Sequence, residues 1–269
     1  MDENLKLMCI FAHPDDETLG TGSTLAKYAA EGVEIYVVSA TRGERGWYGD
    51  DKDFPGLENL GKTRENELIC AAQTLGVHKV DFLDYIDGDL DQADQAEAIG
   101  KITCLIRQYQ PQVVITFPPD GNYGHPDHIA TSQFTSAALV CAADPNYPGQ
   151  DHLPAHRVSK LYYMADSQDL FDVYFGLFGD IRMTIDGVER QGVAWPDWAI
   201  TTRIDGEAHW PVTWEAVKCH KSQLPGFGDI SRITKDQHRQ LWGKRTYYRA
   251  YSLVNSGRKV ETDLFLGLR

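Results

Sequence analysis

The chain of 269 residues carries 39 Asp and Glu against 26 Lys and Arg, a formal net charge of −13, with no clustered basic patch. That balance argues against nucleic acid, whose phosphates need grouped cations, and against docking on an anionic membrane surface. With 42% apolar and 24% charged residues it has the make-up of a globular enzyme; its length allows one large α/β domain over residues 1–269 with a sizeable core.

Residues 5–11 are an apolar run that reads as a buried strand, followed by a helix over 18–31 closed by Gly32. Residues 33–40 read as a second strand. The stretch 41–58, rich in Gly, Asp and aromatics, is too long for a plain connection and reads as a functional loop. Asn59 is expected to cap a helix that runs to Leu75 and stops at Gly76. A strand at 80–85, a helix at 91–109, a strand at 112–117 and a helix at 126–143 follow. Repeated strand–helix units with strands apolar throughout imply an α/β fold, a Rossmann-like, mostly parallel sheet with helices on both faces. Beyond Ala143 the pattern loosens. A proline-bearing loop over 144–157, strands at 160–164 and 198–204 and helices at 214–223 and 235–243 are expected, and no linker marks a second domain.

Cys9, Cys70, Cys104, Cys141 and Cys219 are scattered, mostly in apolar segments, and none pairs at zinc-ligand spacing. This points to free thiols in a reducing compartment. The start, Met1-Asp2-Glu3-Asn4, is unlike a secretory signal, and no apolar run approaches the ~20 residues of a membrane span. A cytoplasmic location is expected; homo-oligomerisation is left open.

Two clusters carry chemistry. His13-Pro14-Asp15-Asp16-Glu17 follows the first strand, and His125-Pro126-Asp127-His128 follows the fourth. In an open α/β sheet, ligands bind at the carboxyl ends of the strands, where the strand order reverses. If the order begins 3-2-1-4, the clusters meet. Two His and one Asp then make a three-ligand zinc site with a position open for water. Helix capping would explain one of Asp15, Asp16 and Thr18, but it leaves His13 unexplained. Gly20-Thr21-Gly22 falls inside the expected helix and lacks the third glycine of a dinucleotide fingerprint, so close helix packing explains it better. Arg64, near the start of the second helix, is a cation opposing the helix dipole, unexpected on a merely solvated face. Tyr123 and His220 are ambiguous taken singly. Trp47, Tyr48, Trp195 and Trp198 are candidates for stacking on sugar rings or for packing.

"AHPDDETLG" near the start, paired with "YGHPDH" in mid-chain, resembles the zinc-dependent de-N-acetylases of the LmbE-like, or PIG-L, family. The resemblance covers residues 5–143 and continues weakly to "KCHKSQ" at 218–223. It departs at Gly22-Ser23, where the family commonly has a glycine pair. Carried over by position, it implies that His13, Asp16 and His128 bind Zn2+. It further implies that Asp15 is the general base, that His125 lies beside the scissile carbonyl as a cation, and that Asp127 orients His125. Arg64, Tyr123 and His220 become candidate substrate contacts, with Tyr123 moving over the site. The implied reaction removes an acetyl group from an N-acetylglucosamine-type sugar or conjugate, giving acetate and a free amine. Two other classes stay open: a non-catalytic sugar- or nucleotide-binding module, and a metal-dependent phosphoesterase, which would need a second ion and a bridging carboxylate.

Overall fold

The computed structural model describes residues 4–148, 153–179, 182–185, 187–228, 230–255, 257 and 259–269. Five parallel strands form most of one sheet: β1 (Lys6–Phe11), β2 (Glu34–Thr41), β3 (Lys79–Tyr85), β4 (Val113–Thr116) and β5 (Lys160–Met164). Between them run helices α1 (Asp16–Ala30), α2 (Leu57–Leu75), α3 (Gln95–Tyr109), the single turn α4 (Gly121–Gly124) and α5 (Pro126–Ala143). The later half adds α6 (Gln168–Phe178), a hairpin of β6 (Arg182–Ile185) and β7 (Val188–Gln191), β8 (Thr202–Asp205), α7 (Trp210–Val217), α8 (Lys235–Trp242) and β9 (Lys244–Ser252). The strand order is β3-β2-β1-β4-β5-β9-β8. The expected 3-2-1-4 start is therefore found, and the reversal lies between β1 and β4.

Alternation along β1 explains why the strand is apolar throughout. Leu7, Cys9 and Phe11 join one core cluster, with Leu25 and Tyr28 of α1 and Leu68 of α2. Met8 and Ile10 join the other, with Ile102 and Ile106 of α3 and Phe134 of α5. Both faces are thus sealed, and the carboxyl ends of the strands remain open to build a site. The glycines of α1 serve packing, as expected: a Cβ on Gly22 would lie 2.7 Å from Thr213 of α7.

The sequence reading and the structure part company after β5. Helix α6, the β6–β7 hairpin and β9 were not anticipated. The strand expected at 198–204 is a short turn at Asp197–Ala199 followed by β8. The helix expected at 214–223 starts earlier, with Pro211 in its first turn where the missing N–H costs nothing, and ends at Val217. Of the expected 144–157 loop, residues 149–152 lie outside the described residues. No helix among the described residues is long and apolar enough to cross a membrane.

The cysteines need a correction. Cys70 of α2 and Cys219 after α7 form a disulfide, with Cα atoms 5.8 Å apart, because α7 packs along α2. Cys9, Cys104 and Cys141 lie outside the disulfide. The bridge removes the thiol argument for a reducing compartment. Thiol titration of the denatured, unreduced protein should count three of the five cysteines; a count of five would refute the bridge.

Candidate metal and catalytic site

Strands β1 and β4 end side by side, so the loop entering α1 meets the loop entering α5. His13 Nδ1 and His128 Nε2 face one another at 3.3 Å, and Asp16 lies 3.7 Å from the first and 3.6 Å from the second. The opposite ring nitrogens define the tautomers. His13 Nε2 meets the Asp87 carboxylate at 3.0 Å and that of Asp127 at 3.1 Å, so it carries a proton. His128 Nδ1 meets only the Gly121 carbonyl, at 3.3 Å, and carries a proton as well. In their neutral forms the two imidazoles aim lone pairs at one point beside a carboxylate. Carboxylate and carbonyl partners on the outer nitrogen are the usual support of metal-binding histidines. His13, Asp16 and His128 fit a divalent cation, with donor atoms all within 4.8 Å of one another.

Electrostatics leave the lone pair of His128 open, while His13 and Asp16 hold protons that a cation would have to displace. Burial, then the charge of His13, pushes the His128 pKa well below its ordinary value, keeping its lone pair available. Burial pushes the Asp16 carboxyl up to about 7, with His13 opposing. Burial lowers the proton affinity of His13, but Asp87 and Asp127 outweigh it and hold the ring above its usual value.

Asp15 stands beside this set and is no part of it. Its φ of 117° is far from what a non-glycine residue adopts freely, and no side chain caps α1. The capping reading of the acids therefore falls. Asp15 is held in place instead: its N–H donates to Glu17 Oε2 at 3.0 Å, and its Oδ2 accepts from Arg64 Nη2 at 3.1 Å. Strain of order 1–3 kcal/mol persists only where the surroundings fix it, commonly at active sites. Burial raises the Asp15 pKa, and the Arg64 charge opposes the shift.

Three expected roles change. Asp127 does not orient the ring of His125. Its carboxylate accepts from Gly88 N–H at 2.7 Å, Leu90 N–H at 3.1 Å and His13 Nε2, so it supports His13. As the second residue of α5, Asp127 turns its side chain toward the loop after β3, and only its backbone N–H reaches His125 Nδ1, at 3.1 Å. That bond makes Nδ1 an acceptor and leaves the Nε2–H for the cavity. Burial, with the charge of His13 adding, lowers the His125 pKa to about 4, so the ring is a neutral donor rather than the cation expected. His220 is 2% exposed and lies outside the cavity lining; its Nε2 meets Glu17 Oε1 at 2.9 Å, so it supports Asp15 through Glu17.

Arg64 lines the cavity but is 3% exposed. It donates to Gly43 O at 2.8 Å, Pro14 O at 2.6 Å and Asp15, which makes it a clamp on Asp15 and the neighbouring loops. Tyr123 lies edge-on to the rings of His125 and His128 in a turn where Gly121, Asn122 and Gly124 all have positive φ. Trp47, Tyr48 and Trp195 line the cavity; Trp198 does not, and is 87% exposed. The sequence reading passed over Asp87 and Glu17. Asp87 was findable: it is an acid just past the third strand, at the same sheet end as both clusters.

The cavity has a volume of about 850 Å³ and is floored by His13, Asp15, Asp16, His125 and His128. A donor set for one cation, a neighbouring carboxylate and an imidazole N–H in one cavity make this the site of a hydrolase that activates water. The chain belongs to the PIG-L, or GlcNAc-PI de-N-acetylase, family, which it matches over residues 8–139. It is 35% identical to a 1D-myo-inositol 2-acetamido-2-deoxy-alpha-D-glucopyranoside deacetylase of Thermobifida fusca, over 81% of this chain and 83% of that one. It is 30% identical to a mycothiol S-conjugate amidase of Streptomyces coelicolor, over 100% and 99%. The fold is also that of the N,N'-diacetylchitobiose deacetylase of Pyrococcus horikoshii, with TM-score 0.65 and 21% identity over 91% of this chain and 83% of that one.

Proposed function

We propose that the chain, acting as one domain, is a zinc-dependent deacetylase of an N-acetylglucosamine-type sugar or small-molecule conjugate. The observation that carries this reading is the convergence of His13 Nδ1, His128 Nε2 and the Asp16 carboxylate beside Asp15. Zinc held by these three would supply Lewis acidity, lowering the pKa of a water from about 15.7 to near 7. Asp15 takes the remaining proton from the attacking water, which its raised pKa favours. His125 presents its Nε2–H to the oxygen of the acetyl carbonyl as negative charge develops there, a contact of the kind worth about 10²–10³ in rate. Asp15 then returns its proton to the leaving nitrogen, and acetate and a free amine result. Glu17, Arg64 and His220 hold Asp15, while Asp87 and Asp127 hold His13.

The test is amine release from a panel of N-acetyl sugars and conjugates by zinc-loaded protein. Release is expected from at least one of them, lost on chelation and regained on adding zinc. Phosphoester cleavage with no amine release across the panel would overturn the reading.

A further inference from the structure

Arg190, on β7 of the hairpin that overhangs the site, is a cation without an acid. Four arginines line the cavity. Arg45 is paired with Asp89, Arg64 with Asp15 and Arg182 with Glu189. Arg190 is half-buried and donates Nη1 to the Gly124 carbonyl at 2.7 Å; its Nε is buried with no partner, and among the described residues no carboxylate meets it. Desolvating a guanidinium without a counter-charge is costly, and a group that completes its hydrogen bonds offsets that cost.

The space next to Arg190 is apolar. Phe171 and Phe175 of α6 line one part of the cavity, and Trp47, Tyr48 and Trp195 line others. Phe175 is 57% exposed, on a helix that buries only Leu170. At about 850 Å³ the cavity far exceeds one acetamido sugar and lies toward the upper end of the range for drug-sized ligands. Gly124 directly precedes His125, which puts Arg190 close to the reacting end of the cavity.

Resting on the deacetylase reading, we propose that Arg190 is a specificity-determining residue. The sugar it serves carries a flat apolar aglycone with an anionic group, carboxylate or phosphate, which the guanidinium binds while the aromatic walls hold the ring. Neither the metal cluster nor Asp15 accounts for this arginine.

The experiment compares phenyl with 3- and 4-carboxyphenyl glycosides of N-acetylglucosamine, in both anomers, by kcat/KM for amine release with zinc-loaded protein. A charge-assisted contact predicts a preference of about 10- to 100-fold for a carboxyphenyl glycoside. In Arg190→Ala the ratio should fall to near one. Arg190→Lys should keep part of it, because a point charge replaces the planar fork. Each ratio is taken within one variant, so a partly misfolded sample does not imitate the result. A ratio near one in the wild type, or a preference that survives in Arg190→Ala, would overturn the proposal. If the wild type released amine from none of the glycosides but did so from other N-acetyl sugars, the deacetylase reading would stand. Calorimetric titration of the same glycosides into wild type and Arg190→Ala would then decide the role of Arg190 by affinity alone.

Discussion

Asp15→Ala should keep its metal and lose about 10²–10⁴-fold in kcat, the range over which a positioned general base contributes. The reasoning is geometric. The three donor groups that converge belong to His13, Asp16 and His128, whereas the Asp15 carboxylate is tied to Arg64 at 3.1 Å. Removing it leaves the donor set whole while the attacking water and the leaving nitrogen lose their proton carrier. KM should change little, since the lost interaction belongs to the transition state. Zinc content by elemental analysis and single-turnover kinetics check both halves. Turnover near that of the wild type would sink Asp15 as base; loss of zinc would make it a ligand.

His128→Ala should abolish stoichiometric zinc and, with it, activity, because one of three protein donors is gone and the remaining two cannot close the site. The sharper comparison is Asp127→Ala. Its carboxylate supports His13 Nε2 at 3.1 Å and is anchored by two backbone N–H groups, so its loss should weaken zinc affinity by about 10- to 100-fold. If Asp127 served His125 instead, affinity would be unchanged and only turnover would fall. Zinc titration against a competing chelator separates these outcomes, and full zinc retention by an intact His128→Ala protein would refute the ligand set.

Much of the site was legible because two apolar strands each ended in a histidine–aspartate cluster and the topology rules made those ends neighbours. What failed did so for identifiable reasons. Asp127 is two residues from His125, and nearness along the chain suggested a pair; the first turn of α5 instead carries its carboxylate across to the loop after β3. The positive φ of Asp15 has no sequence signature, since the residue is not glycine. Strand β9 went unread because Arg245 occupies a fully interior position, with its guanidinium bonded to the carbonyls of Leu241, Lys244 and Leu19. An arginine there breaks the apolar pattern on which a buried strand is recognised. Arg64 was singled out correctly as misplaced for a surface cation, but the sequence could not say that its partners are Asp15 and two backbone carbonyls.

The hydrogen bond between Glu17 and His220 spans 203 residues, and through Glu17 it reaches the backbone of Asp15. Chains emerge from the ribosome N-terminus first, but a domain generally folds as a unit. His13, Asp16 and His128 have all been synthesised once α5 is complete, with more than a third of the protein still to come. His220 emerges 77 residues after Ala143, and the core that seats β1 also takes in Leu264 and Phe265, close to the end of the chain. The Glu17–His220 bond is therefore a mark of the completed fold rather than of its N-terminal half.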